Sequence, residues 1–478
     1  LLEEHEALNI LLVSARRSAY TGESISAPHQ GVLSLAAVLR EGTFFDTRGV
    51  HVEVLDDQLF VIDRPWAPPS ACLAGRDPDV VGVQVSTSSL KNGVRLLDEV
   101  RAHFPKALTV LGGVGAGPLA IQLVENEEAD VVVAGEAEIS FSQLIYLYEQ
   151  KGRAALPEVQ GITYLNGDGK AVQNPAPMPL HDFDALPLPA RDLVDMELYR
   201  RISRGRAGNL LTSRGCSYAC SYCYSRHHWG RGQRNFSLDR VMQEVRVLVE
   251  EYGVDRIRIE DDDFLEQKKW VFDFCDALEA AGYSRYVEWE MKARPDHIDE
   301  ETVRRLRRAG CFRILMGVET LNPELLKTVS RPLKEGVLEN ALDLMRQGGI
   351  GVQATLILGI PGESDAAMRY TLQWLEERVD SRRHDIVSPC FFVPFTPQVQ
   401  AAMSQQCEYT LEVHDTDCFT GHIPVTSSPA CSLEELNRLY EDMAPTRRGK
   451  YQRIAHLAPL EEVQNRVSEE VAAGASPS

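Results

Sequence analysis

The sequence predicts an α/β fold in two parts: a doubly wound parallel sheet, then a (β/α)6 partial TIM barrel with a small C-terminal cap. Three observations carry this. Short, wholly apolar β runs alternate with amphipathic helical runs from residue 8 to 150. Five prolines within fifteen residues then interrupt the pattern in "NPAPMPLHDFDALPLPARDL". From about 209 strand–helix alternation resumes and repeats six times. The expected boundaries are 1–174 for the first domain, 175–197 for an extended linker, 198–397 for the barrel, and 398–478 for the cap with a disordered tail, "AAGASPS".

In the first domain the strands are "LNILLVS", "VHVEVLD", "DVVGVQVS", "ALTVLGG" and "ADVVVAG", with helices near 29–41, 89–103, 117–126 and 138–150. Ligands of such sheets sit at the carboxyl ends of the strands. At one such end lies "GGVGAGP", where Gly112 and Gly113 lack the side chains that would hold a bulky ligand away; a tight strand-to-helix turn explains them equally well. A hairpin follows in "GITYLNGDGKAVQ", with Asn166-Gly167 and Asp168-Gly169 at the turn.

The barrel strands are expected at 209–215, 254–261, 287–293, 312–319, 351–358 and 385–393. Barrel chemistry gathers at strand carboxyl ends. The notable motifs follow the first five strands in order: "GCSYACSYC", "EDDDF" (Glu260 to Phe264), "ARPD" with Arg294, "GVET" with Glu319, and "GIPGES" with Gly359, Pro361, Gly362 and Glu363.

At 478 residues the chain exceeds one ordinary core, and 44% hydrophobic with 25% charged residues suits a globular protein. No apolar run nears the ~18–20 residues that span a bilayer, and the first residues are unlike a signal peptide, so a cytoplasmic protein without membrane contact is expected. A net charge of −20 repels nucleic acid and suits a neutral or cationic small-molecule substrate.

Of ten cysteines, seven are scattered singly, whereas Cys216, Cys220 and Cys223 fall within eight residues. A disulfide fails on parity and on a reducing compartment. Structural zinc needs four ligands, which C-x3-C-x2-C-x3-H through His227 would supply. An iron–sulfur cluster is the third reading, and three thiolates on a cubane leave one iron open.

Through C-x3-C-x-aromatic-C, here Cys216, Cys220, Tyr222 and Cys223, the sequence resembles the radical S-adenosylmethionine (SAM) enzymes. The stretches "DVVGVQVS", "VLGGVGAGP", "VVAGEAE", "LPLPARDL", "TSRGCSYACSYC", "ARPDHIDEETVRRLRRAGCFRILMGVET" and "LILGIPGES" extend the resemblance to the subclass with an N-terminal cobalamin (B12)-binding-type, Rossmann-like domain. The resemblance implies a [4Fe-4S] cluster on the three cysteines and SAM chelated on the open iron. It also implies an electron donor such as flavodoxin or ferredoxin, and a 5′-deoxyadenosyl radical that takes hydrogen from a C–H bond. Position by position, Tyr222 would lie against adenine, Arg294 would pair with the SAM carboxylate and Glu319 would bind ribose hydroxyls. The "GIPGE" backbone would pass along adenine, and the acids near Asp261 and Asp262 would meet the SAM amino end or the substrate.

Two enzymatic outcomes remain. In one, the first domain binds cobalamin and a methyl group moves to carbon, although no Asp-x-His-x-x-Gly motif is present to ligate cobalt. In the other, favoured at this level, the radical loses water from an aminosugar or aminoglycoside, as in the dehydratases that this layout also resembles. Glu260 to Asp263 would suit a cationic substrate, and Asp261, Asp262, Asp263 and His227 are the candidate acid–base groups. A helix N-terminus explains the acid run equally. The pair His227 and His228 would either line the cavity or lie on a solvated loop. A zinc-stabilised small-molecule sensor is the non-enzymatic alternative.

Overall fold

The computed structural model describes residues 7–18, 27–60, 71, 73–203, 208–380 and 385–443. Cys72 and the C-terminal tail lie outside these. The described chain divides into two compact units, 7–18 with 27–203 and then 208–443.

The first unit is a seven-stranded sheet: β1 (Asn9–Ser14), β2 (His51–Asp56), β3 (Val80–Gln84), β4 (Leu108–Gly112), β5 (Val131–Val133), β6 (Ile162–Leu165) and β7 (Ala171–Gln173), in the order β2-β1-β3-β4-β5-β6-β7. The first five are parallel, and the expected hairpin β6–β7 extends the sheet antiparallel from β5. Successive residues point to opposite faces, which is why the strands read as continuous apolar runs. Ile10, Leu12, Val80 and Val110 meet helices Gln30–Glu41 and Ala137–Lys151 through Val32, Ala36, Phe141 and Leu144. Leu11, Val13, Val81 and Val83 meet helices Leu90–His103 and Ala120–Glu125 through Leu96, Leu97 and Leu123. The strand order reverses between β1 and β3, the place where doubly wound sheets open a crevice.

The proline-rich stretch is not an extended linker. Its second half packs onto the first unit, with Phe183, Leu186 and Ala190 buried, while Met178 between the earlier prolines is exposed. Ala190 N–H donates to Leu33 O at 3.1 Å, and the Tyr199 hydroxyl donates to Asp56 Oδ2 at 2.5 Å.

The second unit holds six parallel strands, β8 (Gly208–Leu210), β11 (Arg256–Ile259), β12 (Glu288–Ala293), β13 (Cys311–Glu319), β14 (Gly351–Leu358) and β15 (Ile386–Phe391), ordered β15-β14-β13-β12-β11-β8. Among the described residues β8 and β15 are both edges, so the barrel is partial. The first strand, expected at 209–215, is split. Thr212 N–H donates to Asp261 Oδ1 at 2.7 Å instead of to a neighbouring strand, and Ser213–Arg214 (β9) pairs antiparallel with Arg234–Asn235 (β10).

The helix-facing side of this sheet is apolar. Trp289 packs edge-on to Phe264 and Phe274, with centroids 5.8 Å apart in each pair. The alternate residues carry charge: Arg313 pairs with Glu290, and Lys292 with Glu260 at 3.2 Å. Barrel interiors are usually filled with branched apolar side chains, whereas here ion pairs occupy part of the inner face. The segment expected as a separate cap belongs to the same unit: a two-stranded ribbon, β16 (Thr410–Leu411) with β17 (Thr426–Ser427), surrounds Phe419, Ile423 and Val425, while Val399 and Met403 pack on Ile360 and Phe392. No helix among the described residues is long and apolar enough to cross a membrane.

Candidate active site

The cysteine loop begins at Gly215, whose φ of +86° and close approach to Gly232 O exclude a Cβ. All three thiols are free, Cys216 and Cys220 half-buried and Cys223 exposed. Burial pushes the Cys216 thiol up to about 12, with Asp263, Glu266 and Asp262 adding to the effect, so ligation must displace a proton. Among the described residues no three His, Cys, Asp or Glu side chains are grouped to hold a single ion. A cubane does not need such a group, since each of its thiolates binds a different iron.

The four acids after β11 have separate fates. Glu260 is held by Lys292 and lies 3.3 Å from Arg258 Nε. Asp261 is buried and serves as a clamp, accepting from Thr212 N, Thr212 Oγ1 at 2.6 Å and Ser213 Oγ at 2.5 Å. Burial raises its carboxyl to about 6 against these bonds. Asp262 accepts from Ser225 Oγ at 2.5 Å. Asp263 is buried 3.3 Å from His297 Nδ1, without the alignment of a hydrogen bond. Three of the four acids are therefore engaged and only Asp263 lacks a hydrogen bond, so the run is not a patch of free carboxylates built for a cationic substrate. His227 is exposed and stacks on Tyr224, so the structure does not bring it to Asp261 or Asp263.

Arg294 follows β12. Its Nε and Nη2 form a fork on Asp296 at 2.9 and 3.0 Å, and its guanidinium lies 3.9 Å over the Tyr218 ring, inside the cysteine loop. Its Nη1 is buried without a hydrogen-bond partner. A buried donor left unpaired is costly, so the site lacks one acceptor. The Tyr218 hydroxyl meets His297 Nε2 at 2.8 Å.

Glu319 ends β13 at φ +64°, accepts from the Tyr222 hydroxyl at 3.2 Å, and has its carboxyl raised by burial against the pull of Arg331 and Arg294. Tyr222 packs beside Ile360 and Phe392. After β14, Gly359 and Gly362 have φ of +74° and +97°, and Pro361 lies between them. Glu363 is buried, accepts from Thr320 Oγ1 at 2.5 Å, and is raised by burial to about 7.

The cysteines, Tyr222, Asp262, Asp263, Arg294 and Glu319 thus all stand at strand carboxyl ends of one unit. Tyr218, His297 and Arg331 were missed. Tyr218 sits between two of the cysteines and His297 directly after "ARPD", which is the signal available; Arg331 carries none.

Gly112 and Gly113 lie in the first unit. A Cβ on Gly113 would stand 2.5 Å from Val85 O, and one on Gly115 would stand 2.5 Å from Ser86 O. These glycines therefore serve the packing of loop 112–117 onto loop 85–89. Gly112 keeps space, its nearest neighbour being Val133 O at 3.7 Å.

The Radical SAM superfamily matches residues 210–375. The chain is 26% identical over 368 residues to an uncharacterized methyltransferase of Pyrococcus horikoshii, covering 76% of each. It is 27% identical over 366 residues to the anaerobic magnesium-protoporphyrin IX monomethyl ester cyclase of Cereibacter sphaeroides, covering 75% of this chain and 58% of that one. Among solved structures, its fold is similar to that of the radical S-adenosylmethionine methyltransferase TsrM of Kitasatospora setae, solved with cobalamin and a [4Fe-4S] cluster (TM-score 0.63, 21% identity, 82% of this chain and 74% of that one). None of these three is named a dehydratase, so they lend the favoured dehydration reading no support. Residues 210–375 carry a radical SAM domain.

Proposed function

We propose that the chain is a cobalamin-dependent radical SAM methyltransferase acting on a small molecule. The observation that carries the SAM site is the buried, unpartnered Nη1 of Arg294 beside a loop of three free thiols. The methyl-transfer part draws support from two of the three similar proteins, both named methyltransferases.

Cys216, Cys220 and Cys223 would hold the cluster, Arg294 Nη1 the SAM carboxylate, and loops 85–89 and 112–117 the cobalamin. When bound, these groups supply one-electron cleavage of SAM and a methyl carrier. The chain does the rest. Asp261 holds the strand that leads into the cysteine loop. The Asp296 fork and the Tyr218 ring fix Arg294, so that its remaining donor needs no reorientation to meet a carboxylate. Glu319, re-aimed by its positive φ, would take sugar hydroxyls from the same side. The charged inner face with Arg258, Lys292 and Arg313 would contact a polar substrate, and a flavodoxin or ferredoxin would supply electrons.

The test is to reconstitute the protein with iron, sulfide and hydroxocobalamin, desalt it, and record iron content and the visible spectrum. About four irons per chain and a retained cobalamin band are expected. SAM cleavage by protein that retains no cobalamin would return the chain to the dehydratase class.

A further inference from the structure

The barrel face turned away from the helices is charged, and its charges do not cancel. Alternate residues of a strand share a face, which puts Arg256 and Arg258 of β11 and Glu288, Glu290 and Lys292 of β12 on this one, with Arg313 of β13 opposite Glu290. Two pairs are closed: Arg313 holds Glu290, each 12% exposed, and Arg256 Nε donates to Glu288 Oε2 at 2.9 Å. Strands β14 and β15 bring no charge, and Gln353 Nε2 donates to Ser388 Oγ at 3.0 Å.

Among the described residues, Arg258 and Lys292 are left with one carboxylate between them. Glu260 takes Lys292 Nζ on Oε2 at 3.2 Å, and Lys292 also donates to Glu260 O at 3.1 Å. Arg258 Nε is 3.3 Å from Glu260 Oε1 but out of line, and is buried without a hydrogen-bond partner. Arg258, Glu260 and Lys292 are 37, 36 and 35% exposed, so a ligand can reach them where the Arg313 pair is nearly closed. On β12 the positions on this face run Glu290, Lys292 and then Arg294, extended just past the strand end, at ~7 Å per step. Lys292 thus stands one step deeper than the donor proposed for the SAM carboxylate. The chain as a whole carries −20, so this positive excess is a local feature.

We propose that the barrel selects an anionic small-molecule substrate, whose phosphoryl or carboxylate group binds between Arg258 and Lys292 in competition with Glu260. This rests on the reading that SAM binds at Arg294, and it reverses the cationic aminosugar expected from the sequence. The planar Arg258 guanidinium suits two oxygens of one group, and the Lys292 ammonium adds a point charge beside it.

The experiment is equilibrium dialysis of the full-length, reconstituted protein, with SAM present to occupy Arg294, against labelled phosphate or labelled acetate, in wild type, K292Q, R258Q and E260Q. At least one probe should bind wild type, and the tighter one tells a phosphoryl from a carboxylate substrate. K292Q and R258Q should each weaken binding about tenfold, whereas E260Q, which removes the competing carboxylate, should tighten it by about the same factor. Wild type that binds neither probe, or binding that K292Q and R258Q leave unchanged, would overturn the proposal. If a cation variant does not fold, E260Q decides: tighter binding supports the proposal and unchanged binding overturns it. Iron content and SAM retention are read on the same samples. Their absence in wild type would overturn the SAM reading, while phosphate or acetate binding, which needs neither, still decides this proposal.

Discussion

The two units place loops at the carboxyl ends of parallel strands and finish them in opposite ways. In the first, the loops after β3 and β4 close on each other: Val85 N–H donates to Gly112 O at 2.9 Å, Gly115 N–H to Val85 O at 3.1 Å, and Ser86 and Ser89 form a capping box. In the second, the loops after β11, β12 and β14 leave buried polar atoms unmatched: both carboxylate oxygens of Asp263, Arg294 Nη1 and Glu363 Oε2. The unmatched charged groups make the second unit's loops the place where we propose SAM to bind, whereas the first unit's loops would offer cobalamin a closed backbone surface.

The largest effect expected from breaking this contrast is at the thiols. Cys216→Ala, Cys220→Ala or Cys223→Ala should each abolish the cluster and all SAM cleavage, whereas Cys275→Ala and Cys311→Ala, at fully buried positions, should keep full iron. Iron assay of the five proteins decides. Next is Arg294→Ala, which removes the unmatched donor. SAM affinity should fall by about one to two decades with iron content unchanged, as measured by equilibrium binding.

The first unit offers the opposite test. Gly113→Ala forces a Cβ against Val85 O at φ +97° and should destabilise that unit by ~2 kcal/mol, read as a lowered Tm. Gly112→Ala has room and should leave Tm within ~1 °C while weakening cobalamin retention.

The smallest effect is a pH dependence. The Glu363 carboxyl is raised from 4.5 to about 7, so the folded chain keeps this proton where the unfolded chain has lost it. The stability it contributes is full below 4.5 and is lost as pH rises through 7. Glu363→Gln, which keeps the acceptor for Thr320, should flatten the decline of Tm between pH 5 and 8 by a few °C.

Much of the fold was legible because buried parallel strands write themselves as apolar runs: β1, β3 and β4 fall inside the predicted segments. The proline-rich stretch was misjudged because proline forbids regular helix and strand but not packing, and Phe183 and Leu186 are buried between the prolines. In the site, spacing alone singled out the three cysteines, which the structure keeps as free thiols on one loop. The roles within "EDDD" were not legible, because partners lie far along the chain: Asp261 is fixed by Thr212 and Ser213, 49 and 48 residues away.

On the proposed reading, SAM completes the unmatched groups around the cysteine loop. The most direct measurement is the EPR spectrum of the reduced, reconstituted protein before and after addition of SAM, in wild type and in Arg294→Ala. SAM should change the spectrum in wild type, and in Arg294→Ala only at about ten- to hundredfold higher SAM. A wild-type protein with its full complement of iron whose spectrum SAM leaves unaltered would contradict it.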